Sequence, residues 1–262
     1  MFTKATKSQA RLRCACFGPA GAGKTFSCLR IAAGLAAATA GRVALIDTER
    51  GSASKYADRF EFDTCALDNR TIDGYLKALE AAAEAGYAVL IIDSLSHAWQ
   101  ELLADMNRIA RARFGGNTWA AWSEGTPRQR RFVDALVQHP AHVLATIRSK
   151  TEWTQQTNER GKAEPVRVGL APEQGKGIEF EFDLLLELNT DHTASILKDR
   201  TGKFQDAIIE CPGEVFGAEL AAWLAEGTPA PAPAPYTPTL PAIDQAMADL
   251  TDQLRGDQPQ VF

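Results

Sequence analysis

The sequence predicts an α/β domain with a mainly parallel central sheet flanked by helices, and three observations carry that prediction. Short apolar runs alternate with longer helical patterns between residues 11 and 188. A glycine-rich octapeptide, Gly18-Pro19-Ala20-Gly21-Ala22-Gly23-Lys24-Thr25, stands between the first run and the first helical pattern. A later run, AVLIID, ends in Asp93, at the strand end where open α/β sheets place their ligand residues.

In chain order, RLRCACFG (11–18) reads as the first strand and 24–39 as the first helix. RVALIDTE (42–49) and FEFDTCAL (60–67) are the next strands, followed by a helix over 71–85 with Thr71 as N-cap and Gly86 as stop. AVLIID (88–93), helices at 97–113 and 127–138, HVLATIR (142–148) and DLLLEL (183–188) continue the pattern. The turn NTDH (189–192) leads into TASILK, which predicts a late antiparallel hairpin. Residues 149–177 are polar, nearly balanced in charge and without regular periodicity, which predicts a mobile loop.

Residues 228–242 hold six of the thirteen prolines and predict a semi-rigid spacer, roughly 45 Å long at about 3.1 Å per residue. Beyond it Ile243, Met247, Leu250 and Leu254 recur at helical spacing, giving a short amphipathic C-terminal helix. The expected division is a core over 1–227, a Pro/Ala-rich linker over 228–242 and an acidic tail over 243–262.

Composition narrows the classes. With 45% hydrophobic and 23% charged residues among 262, the chain is of ordinary globular composition. Five cysteines without a CxxC pair suggest neither a disulfide framework nor a zinc site, and they are expected to be reduced and buried. The N-terminus lacks an apolar targeting segment and no apolar run is long enough to span a bilayer, so a cytoplasmic protein without a membrane partner is expected. Of the 28 basic residues 27 precede residue 214, against 26 of the 33 acidic ones, so the core is nearly neutral and the tail acidic. A nucleic-acid partner would therefore need a local basic patch.

Three motifs carry chemistry. Gly18 to Thr25 fits GxxxxGK[ST] in a strand-to-helix context, which is a phosphate-binding loop. The loop of Gly18, Pro19, Ala20, Gly21, Ala22 and Gly23, continuing into Phe26, is expected to wrap the phosphates, with the N–H groups of its non-proline residues as donors. Lys24 would neutralise the terminal phosphates of ATP and the Thr25 hydroxyl would ligate Mg2+. Asp93 is the expected partner of that ion. Hydrolysis also needs a base, and Ser94 stands where many such ATPases carry a glutamate. Glu49, ending the strand 42–49, is one candidate base; the other reading is a strand-end acid paired with Arg50 or Arg59. Finally, residues 108–131 hold six arginines against one acid, Glu124, interleaved with Phe114, Trp119 and Trp122. Arg108, Arg111, Arg113 and Arg128 with the two tryptophans have the composition that single-stranded DNA binding requires.

Taken together, the phosphate loop, IDTE, IIDS and ATIRSK (145–150) resemble, in order, the RecA-type recombinase core. More closely, FTKATKSQARLR, GPAGAGKT, LIDTERGSAS, IIDSLSHAW, TIRSKTE, GKGIEFEFD and DHTASILKDRTG resemble a family of phage nucleotide-binding P-loop ATPases, some of them short RecA-like single-strand annealing proteins. The resemblance spans residue 2 to about 204. It implies a RecA-like fold, Glu49 as the catalytic base, and Thr146 at the phosphate-sensing position, where recombinases usually carry glutamine. Lys150 follows it at the start of a DNA-binding segment. Lys198 and Arg200, in KDRTG, resemble the KxR element that RecA-like ring ATPases extend into a neighbouring subunit's site. Phe2 and Ala5 resemble the FxxA element through which such proteins self-associate. The implied activity is Mg-dependent ATP hydrolysis, stimulated by single-stranded DNA, in a homo-oligomeric ring or filament that acts in recombination or annealing in the bacterial host cytoplasm. The tail is expected to serve as a hook for a single-strand-binding protein. The rival readings are a helicase or translocase of the same fold, and a nucleotide-gated protein-binding module without DNA activity.

Overall fold

A computed structural model describes residues 6, 9–157 and 163–228. The strands are β1 (Arg13–Gly18), β2 (Val43–Asp47), β3 (Asp63–Ala66), β4 (Val89–Asp93), β5 (His142–Thr157), β6 (Ala163–Pro172), β7 (Leu184–Leu188), β8 (Thr193–Asp199) and β9 (Ile208–Glu210). They lie in the order β3-β2-β4-β5-β1-β7-β8-β9, with β6 attached to β5. The first six in that order run parallel, and β8 and β9 complete one side antiparallel. This is an α/β P-loop NTPase core.

Every residue of β1, β2 and β4 is buried, which is why these segments read as continuous apolar runs rather than as alternation. The period of two still sorts their side chains. Phe17, Ile46 and Leu90 face α2 (Ile72–Glu84), α3 (Leu95–Arg113) and α4 (Thr118–Gln138). Cys14, Cys16, Leu45 and Ile91 face α1 (Lys24–Thr39) and α5 (Glu214–Ala225). Thr71 caps α2 by accepting from the Gly74 N–H at 3.3 Å, and Gly86, at φ 69°, follows the end of that helix as expected.

The structure departs from the sequence reading in several places. Helix α5 was not foreseen, because its hydrophobic residues follow no clear stripe. It seals one face through Phe216, Leu220 and Leu224. Two glycines allow it to approach α1: a Cβ on Gly34 would lie 2.1 Å from the Glu214 carbonyl oxygen, and one on Gly217 would lie 2.2 Å from that of Ile31. Helix α4 begins at Thr118 rather than 127, capped by Asn117, which accepts from the Ala120 N–H. Pro127 lies inside it, and Gly125 packs closely against Met106.

The expected mobile loop over 149–177 is instead largely an antiparallel ribbon. Ser149 pairs with Pro172 and Thr157 with Ala163. A ribbon held by backbone bonds needs no apolar alternation, so periodicity could not reveal it. The cysteines also divide: Cys14, Cys16 and Cys28 are buried, but Cys65 and Cys211 are exposed, against expectation. Among the described residues no helix is long and apolar enough to cross a membrane. The proline spacer from residue 229 onward, the terminal helix, Phe2 and Ala5 lie outside the described residues.

Candidate nucleotide site

β1 ends at Gly18 and the chain turns through Gly21 (φ 83°) and Gly23 (φ 82°) before α1 begins at Lys24. Both glycines occupy the left-handed region that side chains disfavour. Gly18 meets a second demand, since a Cβ there would fall 2.3 Å from the Leu188 carbonyl oxygen. The loop thus presents backbone at the N-terminus of α1, where first-turn amides lack an intrahelical partner and can receive an anion, while the Ala22 N–H donates to the Pro19 carbonyl at 3.3 Å.

Side chains from four elements converge under this loop. Lys24 Nζ donates to the carbonyls of Gly18 (2.9 Å) and Pro19 (2.8 Å). Burial lowers its ammonium from the ordinary value, while Asp93 and Glu49 oppose that shift. Thr25 Oγ1 donates to Asp93 Oδ2 at 2.7 Å, and Thr146 Oγ1, from β5, donates to Asp93 Oδ1 at 2.5 Å. Burial raises the Asp93 carboxyl, and the hydrogen bonds from Thr146 and Thr25 pull it back. The Asp93–Ser94 peptide is cis. Neighbouring Asp47 accepts from the Glu49 N–H through Oδ1, while its buried Oδ2 has no protein partner.

Glu49 stands beside this cluster, but neither Arg50 nor Arg59 holds it. Arg148 does: its Nη2 lies 2.8 Å from Oε1 and 3.0 Å from Oε2, and its Nε donates to Oε1 at 3.2 Å. His97 Nε2 is 3.7 Å from the same carboxylate, and burial lowers that imidazole's pKa. Its Nδ1 lies 2.7 Å from Thr48 Oγ1, which also accepts from the Ser94 N–H. Arg148 and His97 were missed by sequence reasoning because nothing local marks a partner so far along the chain, 99 positions away for Arg148.

A cleft of about 510 Å³ opens over the loop, with Tyr56, Arg59 and His192 on its walls. Phe26 supports the Tyr56 wall, ring centroids 5.4 Å apart, and also contacts Phe60. These wall residues carry no sequence signal beyond their types. A family model described as an AAA domain matches residues 10–208, most of the described core.

The chain belongs to the AAA domain family. It is therefore a nucleotide-binding P-loop ATPase. No curated protein matches the chain.

The remaining predicted residues lie elsewhere on this AAA domain. β8 runs antiparallel to β7, so Ala194 sits opposite Leu188 near the loop, while Lys198 sits opposite Leu185 towards the other end. Lys198 Nζ donates to the carbonyls of Glu179 and Phe180, and Arg200 donates to that of Phe180 and pairs with Asp183 at 3.4 Å. Neither cation is directed to the chain's own cleft. The arginine-rich segment is less basic than its local count. Arg108 pairs with Asp105 and Glu101, Arg113 with Glu124, Arg128 with Asp105 and Glu124, and Arg131 with Asp73. Arg111 and Lys150 are exposed. Trp119 is 87% exposed, whereas Trp122 is half-buried against Trp99, 5.5 Å between rings.

Proposed function

We propose that this chain is a RecA-like, magnesium-dependent ATPase of phage type that assembles on single-stranded DNA in recombination or strand annealing. The observation that carries the reading is the continuity of β5. Within a few residues it passes from Thr146, bonded to Asp93, to Lys150 at the root of the β5–β6 ribbon. A change at the phosphate end thus has a covalent route to a polar ribbon, and exposed Trp119 offers an aromatic face for an unpaired base.

The oxygens of Thr25 and Asp93 lie adjacent at the foot of the loop, a hard donor set that fits magnesium. When bound, the ion supplies charge neutralisation at phosphate oxygens. The chain's own residues do the rest. Lys24 exchanges the carbonyls of Gly18 and Pro19 for phosphate oxygens, the loop amides orient the phosphates, and Tyr56 forms a wall of the cleft that would receive the nucleotide. Glu49 takes the proton of the attacking water. Thr146 reports the phosphate end to β5. Lys198 and Arg200 act on the nucleotide of a neighbouring copy, the division at residue 228 separates ATPase from tail, and the tail engages a single-strand-binding protein.

The test is the ATP hydrolysis rate with and without a poly-dT strand, across a salt series and with EDTA as control. The expected result is activity abolished by EDTA and raised by poly-dT, with the increment shrinking as salt rises. Strand separation of a duplex would reassign the chain as a helicase. Hydrolysis indifferent to DNA, with no retention of single strands, would leave a protein-binding switch.

A further inference from the structure

We propose that Arg148 is a positioning residue that keeps Glu49 idle until the β5–β6 ribbon is engaged; this rests on the reading of Glu49 as the base. The guanidinium occupies both carboxylate oxygens, with contacts of 2.8 and 3.2 Å at Oε1 and 3.0 Å at Oε2. A forked cation on both oxygens stabilises the ionised carboxylate and blocks its approach to the water, so it makes a poorer proton acceptor. His97, on the other side at 3.7 Å, does not duplicate the clamp, because its burial favours the neutral ring.

The backbone of Arg148 explains how such a clamp opens. It is the last β5 residue paired with β1, opposite Gly18, and the next residue, Ser149, begins the ribbon opposite Pro172. Its N–H donates to Ser96 Oγ at 2.9 Å and its carbonyl accepts from the Glu173 N–H at 2.7 Å. The residue is thus the joint between the parallel sheet and the ribbon, tied to β6's end on one side and to the start of α3 on the other. Its side chain is 42% exposed, so solvent or a polyanion can receive the guanidinium once it leaves Glu49.

The experiment compares steady-state hydrolysis without DNA in the full-length parent, Arg148→Ala, Arg148→Gln, Glu49→Gln and the Glu49→Gln/Arg148→Ala double variant, alongside affinity for a fluorescent ATP analogue. The expected result is a DNA-free kcat about 10-fold higher in both single Arg148 variants, with KM within about 3-fold of the parent. Poly-dT then adds less than in the parent, and the double variant is as slow as Glu49→Gln. An unchanged or lower DNA-free kcat in both Arg148 variants, with analogue affinity retained, overturns the clamp. If both lose analogue binding, Arg148→Lys, which keeps the charge without the fork, decides by the same direction of change. Parental turnover in Glu49→Gln would instead sink the base assignment itself, a separate failure.

Discussion

At the carboxyl end of the sheet, Asp93 is held by the hydroxyls of Thr25 and Thr146, and Glu49 by the guanidinium of Arg148. At the amino end, Arg13 is held by backbone: it donates to the carbonyls of Leu12, Val137, His139 and Ala141. Both ends bury charge, yet only the first can exchange its partners. A hydroxyl rotates and a side-chain cation swings away, whereas a carbonyl at a strand end moves only if the fold does. Arg13 is 6% exposed and acts as a staple joining β1 to the end of α4 and the segment that leads into β5. Apart from Lys24, which rests on the carbonyls of Gly18 and Pro19, side-chain partners therefore mark the end with the candidate site, and backbone partners the end that holds the elements together.

The largest effect is expected from breaking the exchangeable end one role at a time. Lys24→Ala should weaken ATP binding, while Glu49→Gln should bind ATP but hydrolyse it roughly 10²- to 10⁴-fold more slowly. Nucleotide titration and single-turnover hydrolysis separate the two. Near-normal turnover in Glu49→Gln would show that the carboxylate held by Arg148 is not the base.

Lys198 and Arg200 are the sharpest challenge to the comparison, because they are tied to backbone carbonyls as Arg13 is. If they act in a neighbouring site, Lys198→Ala/Arg200→Ala chains should lose about 10²- to 10³-fold in hydrolysis, the scale of a lost charge-stabilising donor. Mixing them with Lys24→Ala chains should restore activity at interfaces that pair an intact loop with intact cations. Co-assembly without recovery would make the pair structural, as Arg13 is.

Much of the chemical end was legible in the sequence, because a phosphate loop is local: eight consecutive residues specify the turn, the helix start, the cation and the hydroxyl. Asp93 was legible as the end of a buried strand, and Thr146 through the resemblance carried by TIRSK. Arg148 was not, because it meets Glu49 only through the order of strands across the sheet, which no local spacing records. The same physics misled the reading of the arginine-rich segment. Counted along the chain it holds one acid, but folding brings Asp73, Glu101 and Asp105 to it. Helix α5 and the β5–β6 ribbon escaped for a different reason, since each is defined by packing or backbone pairing rather than by a hydrophobic period.

The fixed end makes its own prediction. Burial lowers His139 and His142 to about 4 from an ordinary 6.5. The unfolded chain then takes up protons first as pH falls. The stability these neutral rings confer is complete above about 6.5 and is lost progressively towards about 4, by up to about 3 kcal/mol for each. Urea midpoints between pH 7.5 and 4.5 should fall in the parent and fall less in His142→Asn. Equal slopes in the two would remove His142 from the acid response.

The smallest effects should come from the α3–α4 surface, which belongs to neither end. Trp119 is 87% exposed, so Trp119→Ala should leave the fold intact. If a base stacks on it, single-strand affinity should fall by about 1–3 kcal/mol. Arg113 and Arg128 already neutralise Glu124 and Asp105, so their cations reach phosphates only by giving up carboxylates. In the Arg111→Ala/Arg113→Ala/Arg128→Ala variant, the slope of log affinity against log salt should therefore drop by less than the roughly 0.7 per residue that free phosphate contacts would give on a single strand. Fluorescence titration with poly-dT at several salt concentrations measures both quantities. A Trp119 variant that binds like the parent, together with an unchanged salt slope in the triple variant, would place the DNA surface elsewhere and leave Lys150 and the β5–β6 ribbon as the next segment to test.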